Sequence, residues 1–364
     1  PATGLILMAG VYYGAVFGGS TSSILLNAPG VPGTVATSFD GYPMAQQGKA
    51  GKALAIAAWS SFAGGTLATF YLLFLAPSLS KVSLSFRSPD YFALMLLGLT
   101  AIAAFSSKGQ FLKAMMMVVL GLMLASVGQD SLSDITRFTF NNMNLTDGIS
   151  FVLVVMATFA MSEALTIILK RNDPSAVAKQ VSLTELGSIK INKEERAQML
   201  KTIPRNSIIG FVIGVLPGAG ATIASFLAYG MERNFVSDKE KEKFGKGSVH
   251  GLAAPETANN AACSGAFVPL LTLGIPGSGT TAVMLGALLG FGIQPGPRLY
   301  ITNPEIFWSV IMSMYIGMVI LLILNLPLIP YIARILAVPK NFLIPLILFF
   351  SITGIYVMSF NNFD

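Results

Sequence analysis

One cysteine, Cys263, and one histidine, His250, stand in a chain of 364 residues. The first excludes an intramolecular disulfide framework, and the second excludes any transition-metal site needing two imidazoles. Charge is scarce too: 11% of residues are charged, against roughly a quarter in soluble domains. Hydrophobic residues make up 53% and mean hydropathy is +0.69. Of the 40 charged residues, 21 fall within 170–205 and 232–246, leaving 19 over the other 313 positions. That distribution belongs to a membrane protein. A net charge of +6 would suggest nucleic acid in a soluble chain, but 13 of the 23 basic residues lie in the same two stretches. This is positive-inside bias, and no nucleic-acid partner is expected.

Apolar runs at 53–76, 90–106, 111–127, 149–169, 305–332 and 341–358 suit helices crossing a hydrocarbon core of about 30 Å. The basic stretch 170–205 is expected to be a cytoplasmic loop, and the mixed-charge stretch 232–246 another. Residues 206–231 would then leave and re-enter on one side, as a re-entrant hairpin broken at Pro217-Gly218. One kinked spanning helix is the alternative. The fold class expected is an all-α polytopic membrane protein, one transmembrane domain over 1–364, with internal repeats built on broken helices.

The string P-G-x-x-x-T occurs three times: Pro29-Gly30 with Thr34, Pro217-Gly218 with Thr222, and Pro276-Gly277 with Thr281. The first and third copies align at a constant offset of 247, which also pairs Gly18 with Gly265 and Leu26 with Leu273. Duplication is the expected cause, with repeat cores near 4–54 and 206–297. Proline and glycine stop a helix and leave unpaired backbone groups, tolerated at membrane depth only against protein or a water-filled cavity. Discontinuous helices of this kind hold substrate and coupling ions in secondary transporters. Simple kinks for tight packing are the bland reading.

Hydroxyls and amides gather at the breaks: Ser20, Thr21, Ser22, Ser23, Asn27, Thr34, Thr37, Ser38 and Asp40 at the first, Thr272, Ser278, Thr280 and Thr281 at the third. Pro255-Glu256 reads as a helix first turn. Glu256, Asn259, Asn260, Cys263 and Ser264 then share a face, a polar stripe expected to border a cavity. No Lys or Arg occurs in 1–48, 206–231 or 251–297. An anionic ligand there would be balanced by helix N-termini, backbone and hydroxyl donors, and co-bound Na⁺ or H⁺, the broken-helix carbonyls offering Na⁺ sites. Asp40 and Glu256 are the candidate coupling acids. Asp40 in Asp-Gly-Tyr-Pro also reads as a turn, and Glu163 as an interfacial residue.

Three blocks resemble the large permease subunit of the bacterial tripartite tricarboxylate transporters: 12–54 (YYGAVFGGSTSSILLNAPG onward), 214–234 (GVLPGAGATIASFLAYGMERN) and 251–297 (GLAAPETANNAACSGAFVPLLTLGIPGSGTT onward). The resemblance covers essentially the whole chain, although family members run longer at both ends, which implies a fragment. It implies a permease of the bacterial inner membrane that works with a small membrane subunit and a periplasmic solute-binding protein, importing citrate-like carboxylates with a cation gradient. It carries motif roles onto Thr21, Ser22, Asn27, Pro29, Gly30, Thr34 and Asp40, then Pro217, Gly218, Gly220 and Thr222, then Pro255, Glu256, Asn259, Asn260, Pro276, Gly277, Thr280 and Thr281. No enzyme activity and no organic cofactor is expected. An intramembrane hydrolase fits poorly, because the lone His250 borders a charged loop and no H-E-x-x-H is present. A passive anion channel is the alternative.

Overall fold

The computed structural model describes residues 2–27, 29–83, 111–130, 135–149, 187–216 and 220–326, with scattered positions in 85–96, 153–169 and 328–356. Glu163, Pro217, Gly218 and most of the apolar runs 90–106, 149–169 and 341–358 lie outside the described residues. The chain divides into two units, 1–86 with 173–338, and 87–172 with 339–364.

The second unit contains α4 (Phe111–Ala125) and a two-stranded antiparallel pair, β1 (Gly128–Gln129) with β2 (Thr136–Arg137), Gly128 opposite Arg137. Arg137 pairs with Asp130 at 2.6 Å beside the turn.

Among the described residues of the first unit, all regular secondary structure is helical. It comprises α1 (Ala2–Leu26), α2 (Val35–Met44), α3 (Ala50–Ser83), α5 (Lys193–Val215), α6 (Gly220–Phe235), α7 (Asp238–Lys241), α8 (Val249–Leu273), α9 (Gly279–Gly290), α10 (Leu299–Thr302) and α11 (Pro304–Asn325). By length and composition, the segments Ala2–Leu25, Pro32–Ser78 and Pro304–Asn325 suffice to cross a membrane. The architecture is that of an all-α, multi-pass membrane protein. Its 34-residue α3 would run about 50 Å, longer than the hydrocarbon core.

The centre is α8, whose residues are buried from Val249 to Thr272. Ser248 caps it by accepting from the Gly251 N–H at 3.1 Å. Helix α8 therefore begins two turns before Pro255-Glu256, so the expected first turn at that pair is displaced: a better cap lies upstream. Helices α3 and α5 run parallel to α8, and glycines set the approach. A Cβ on Gly210 or Gly214 would lie 2.6 Å from the Cα of Ala258 or Ala262. Such small-residue contacts replace bulk hydrophobic driving force between helices in lipid.

Helix α5 starts on a capping box, Asn192 and Glu195 exchanging side-chain to backbone hydrogen bonds at 2.8 Å each way. Thus 193–205, read from charge as loop, is three turns of helix. Helix α6 returns beside α5, since Glu232 near its end bonds Thr202, Arg205 and Asn206. The charged segments gather at one end of the unit, where Lys52 pairs with Glu195 at 2.8 Å and Gln47 donates to the Lys246 carbonyl.

Candidate functional site

Helix α1 and helix α8 are each 25 residues long, and their first and last residues lie 247 positions apart at both ends. They pack antiparallel, with Tyr13 against Ser264 and Ser20 against Glu256. Each ends in the same device. Asn27 (φ 51) and Gly274 (φ 70), again 247 apart, take the left-handed conformation that terminates a helix. The chain then folds back past the proline. A Cβ on Gly30 would lie 2.9 Å from the Gly19 Cα, and one on Gly277 3.4 Å from the Ala266 Cβ, equivalent positions in both copies. Finally Thr34 Oγ1 donates to the Val31 carbonyl and Thr281 Oγ1 to the Ser278 carbonyl, each at 2.9 Å. In these two copies the P-G-x-x-x-T string is therefore a folding instruction. Its glycine admits the returning chain, and its threonine ties the next helix start to the bend.

Each bend delivers a helix N-terminus. A 3-10 turn at Pro32–Thr34 leads into α2, and Ser278 and Thr281 form a capping box at the start of α9. Between them stands the start of α6, where Gly220 takes φ 60. A Cβ on Gly33 would lie 3.2 Å from Ala221, and one on Gly220 3.9 Å from the Gly277 carbonyl. Three helix starts thus meet, two directed from one side and α9 from the other. Together they place about 1.5 unit positive charges of dipole end in one region. Thr280 is exposed and Thr222 half-buried on the first turns of α9 and α6, whereas Thr34 and Thr281 are buried and committed to the bends. Pro29, Gly30 and Asn27 are exposed. Thr21 is buried, and Ser22 donates to the Gly19 carbonyl at 3.1 Å.

Beside the first bend, Glu256 lies buried with hydroxyls from three helices on its carboxylate. Ser20 Oγ of α1 and Ser61 Oγ of α3 donate to Oε2 at 2.6 and 2.7 Å, and Thr37 Oγ1 of α2 donates to Oε1. No basic side chain is among these partners. Asn259 donates to the Gly33 carbonyl at 3.3 Å, and Asn260 donates to the Glu256 carbonyl and to Asn259 Oδ1. The acceptor Oδ1 of Asn260 has no partner among the described residues. Among the described residues no three His, Cys, Asp or Glu side chains cluster as a metal site. The oxygen-only donor set around Glu256 suits a proton or a hard cation.

Two expectations change here. The polar stripe of α8 is buried rather than open: Gly64, Gly210 and Gly214 bring α3 and α5 against the neighbouring Thr257, Ala258 and Ala262, and hydroxyls and amides partner the stripe except at Asn260 Oδ1. Ser264 meets Tyr13 and, at 3.3 Å, Thr69, while Cys263 belongs to the apolar core. Asp40 is in helix α2 rather than in a turn. Its Oδ1 accepts from the N–H groups of Gly247 and Ser248 at 2.9 and 2.7 Å, anchoring α2 to the start of α8, and the chain turns later, at Gly48 with φ 74.

Composition gave no hint of Ser61 or of the Glu232 cluster. A Ser60-Ser61 pair inside an apolar run was the available signal for the first. Glu232, read as part of a charged loop, is buried beneath Arg205, Asn206, Thr202 and His250. Burial pushes its carboxyl up, but hydrogen bonds from His250, Arg205 and Asn206 outweigh this and hold it at about 2. It locks the α5–α6 hairpin to α8.

A family model described as the tripartite tricarboxylate transporter TctA family matches residues 1–364. The chain is 43% identical over all 364 residues to an Agrobacterium vitis protein described as an uncharacterized 52.8 kDa protein in the TAR-I ttuC' 3'region, spanning 71% of that protein. A second Agrobacterium vitis protein, described from the TAR-II ttuC' 3'region, is 45% identical over 155 residues, 43% of this chain and 63% of its own length. No solved structure matches. A match over the full chain to the family model, joined to a helical membrane fold built on repeated broken helices, assigns the protein to the TctA family of tripartite tricarboxylate transporters.

Proposed function

We propose that the chain is the large membrane subunit of a binding-protein-dependent secondary transporter that imports tricarboxylates or related carboxylates, driven by Na⁺ or H⁺. Its partners would be a small membrane subunit and a periplasmic solute-binding protein, its place the bacterial inner membrane with the charged end cytoplasmic. In the membrane, α5 and α6 would form a re-entrant hairpin. The observation that carries this reading is the meeting of three helix N-termini in a region whose sequence segments hold no Lys or Arg.

Charge balance supports coupling to cations. Helix ends supply about 1.5 positive charges, while a fully ionised tricarboxylate carries three negative ones. Co-bound cations make up the difference. Substrate carboxylates would take backbone N–H groups at Gly220 and Gly279, with Thr222 and Thr280 as hydroxyl donors. Glu256, with Ser20, Thr37 and Ser61, would take the coupling cation beside the first bend. A cation there stabilises the bend that presents α2, so substrate and cation favour the same conformation and their binding is reciprocal.

Citrate uptake into proteoliposomes holding the three reconstituted components tests the reading. Uptake should require the binding protein and an imposed Na⁺ or H⁺ gradient. Anion conductance that persists without either would identify a passive channel instead.

A further inference from the structure

A second built feature stands at the charged end, away from the bends. A cleft of about 670 Å³ opens between α3, the segment ahead of α5, α5 itself and the end of α11. Its wall is apolar, including Trp59, Met199, Ile203 and Leu326, and it carries two cations, Lys190 and Arg196. No acidic residue is among the described residues of the wall, and the acid nearest in sequence on the first turn of α5, Glu195, is taken by Lys52 at 2.8 Å. Lys190 and Arg196 are both exposed, and among the described residues neither forms an ion pair.

Depth narrows the occupant. Trp59 lies seven residues beyond Lys52 along α3, roughly 10 Å deeper at 1.5 Å per residue, and is 42% exposed. Tryptophan is enriched at the level where headgroups meet hydrocarbon. Ile189 and Leu200, also in the wall, are 48% and 69% exposed beside the two cations. Water suits the cations and not these side chains, whereas hydrocarbon does the reverse. A molecule with an anionic head and an apolar tail satisfies both, and the volume lies in the range of small-ligand sites.

We propose that this cleft binds an anionic glycerophospholipid, its phosphate held by Lys190 and Arg196 and an acyl chain lying along Trp59, Met199 and Ile203. The bound lipid would tie α3, α5 and α11 together at the membrane boundary.

Two measurements on the full chain test it. In a Trp308→Phe background, Trp59 is the sole tryptophan, and acyl-brominated phosphatidylglycerol should quench it at far lower mole fraction than brominated phosphatidylcholine. Basic residues near an anionic surface contribute enough for roughly a 5-fold preference each, about 30-fold together, shrinking as salt rises. Lys190→Gln with Arg196→Gln should abolish the preference and leave quenching by phosphatidylcholine unchanged. Native mass spectrometry of the protein with its own tryptophans, given equal amounts of both lipids, should retain phosphatidylglycerol, and the double variant should not. Equal quenching by the two lipids, or a preference surviving the double substitution, overturns the proposal. So does a double variant that loses the small membrane subunit while its lipid retention is unchanged, which would assign the cleft to a protein partner.

Discussion

Glutamine at position 256 separates the charge of that side chain from its packing. In the native protein Oε1 accepts from Thr37, and Oε2 from Ser20 and Ser61. Gln keeps one carbonyl oxygen for Thr37 and turns an amide toward the two serines, whose hydroxyls can rotate to accept. The expected cost in stability is therefore small, about 1 kcal/mol. Alanine instead strands three buried hydroxyls, each worth about 1–3 kcal/mol when unpaired. Some of that loss is recovered by bonding to a carbonyl one turn back, as Ser23 does with Gly19 at 3.0 Å. A net loss of about 3–5 kcal/mol is expected for Glu256→Ala. Thermal melting in detergent measures this order, native above Gln and Gln well above Ala. Uptake then measures function: Glu256→Gln should hold its fold and lose the response to an imposed cation gradient. A Gln variant that melts normally and keeps full gradient dependence would refute the assignment of Glu256 to coupling.

Three further outcomes are expected. Glu232 is held at about 2, so its contribution, about 3 kcal/mol for the gap from its ordinary value, is complete above pH 4.5 and lost as pH falls toward 2. Acid melting of the native protein should steepen in that window, and Glu232→Gln should lose the steepening while starting less stable at neutral pH. Gly214→Ala sets a methyl 2.6 Å from the Ala262 Cα. Since backbone must move, a loss of about 1–3 kcal/mol is expected, with weakened citrate binding in calorimetry, because α5 leads into the second break; unchanged melting would show that the helices part freely. Thr34→Val and Thr281→Val each remove the same bond to a bend carbonyl and should cost about 0.5–2 kcal/mol apiece. Similar losses of thermal stability in the two variants would match their equivalent geometry, and a loss in only one would contradict it.

Much of this was legible in the sequence, for a physical reason. Proline and glycine act locally, so three P-G-x-x-x-T strings located the breaks before any fold was known, and the offset of 247 anticipated two helices of equal length. Long-range pairing was not legible. The stripe from Glu256 to Ser264 shows its polarity in one dimension, but whether it meets water or other hydroxyls depends on Tyr13, Ser20, Thr37, Ser61 and Thr69 of distant helices. Asp40 looked like a turn residue because Asp-Gly-Tyr-Pro is turn chemistry, yet two backbone N–H groups 207 and 208 positions away claim its carboxylate. Charge density misread Glu232 for a similar reason: composition counts charges, and only packing shows which of them is buried.

On the function proposed above, helix N-termini bind the substrate carboxylate without a basic side chain. A cryo-electron-microscopy map of the complex with citrate and Na⁺ tests it most directly. Citrate density is expected among the starts of α2, α6 and α9, within hydrogen-bond reach of the Gly220 and Gly279 backbone, and away from any Lys or Arg. Citrate density paired instead with Arg205 or another basic residue would contradict it.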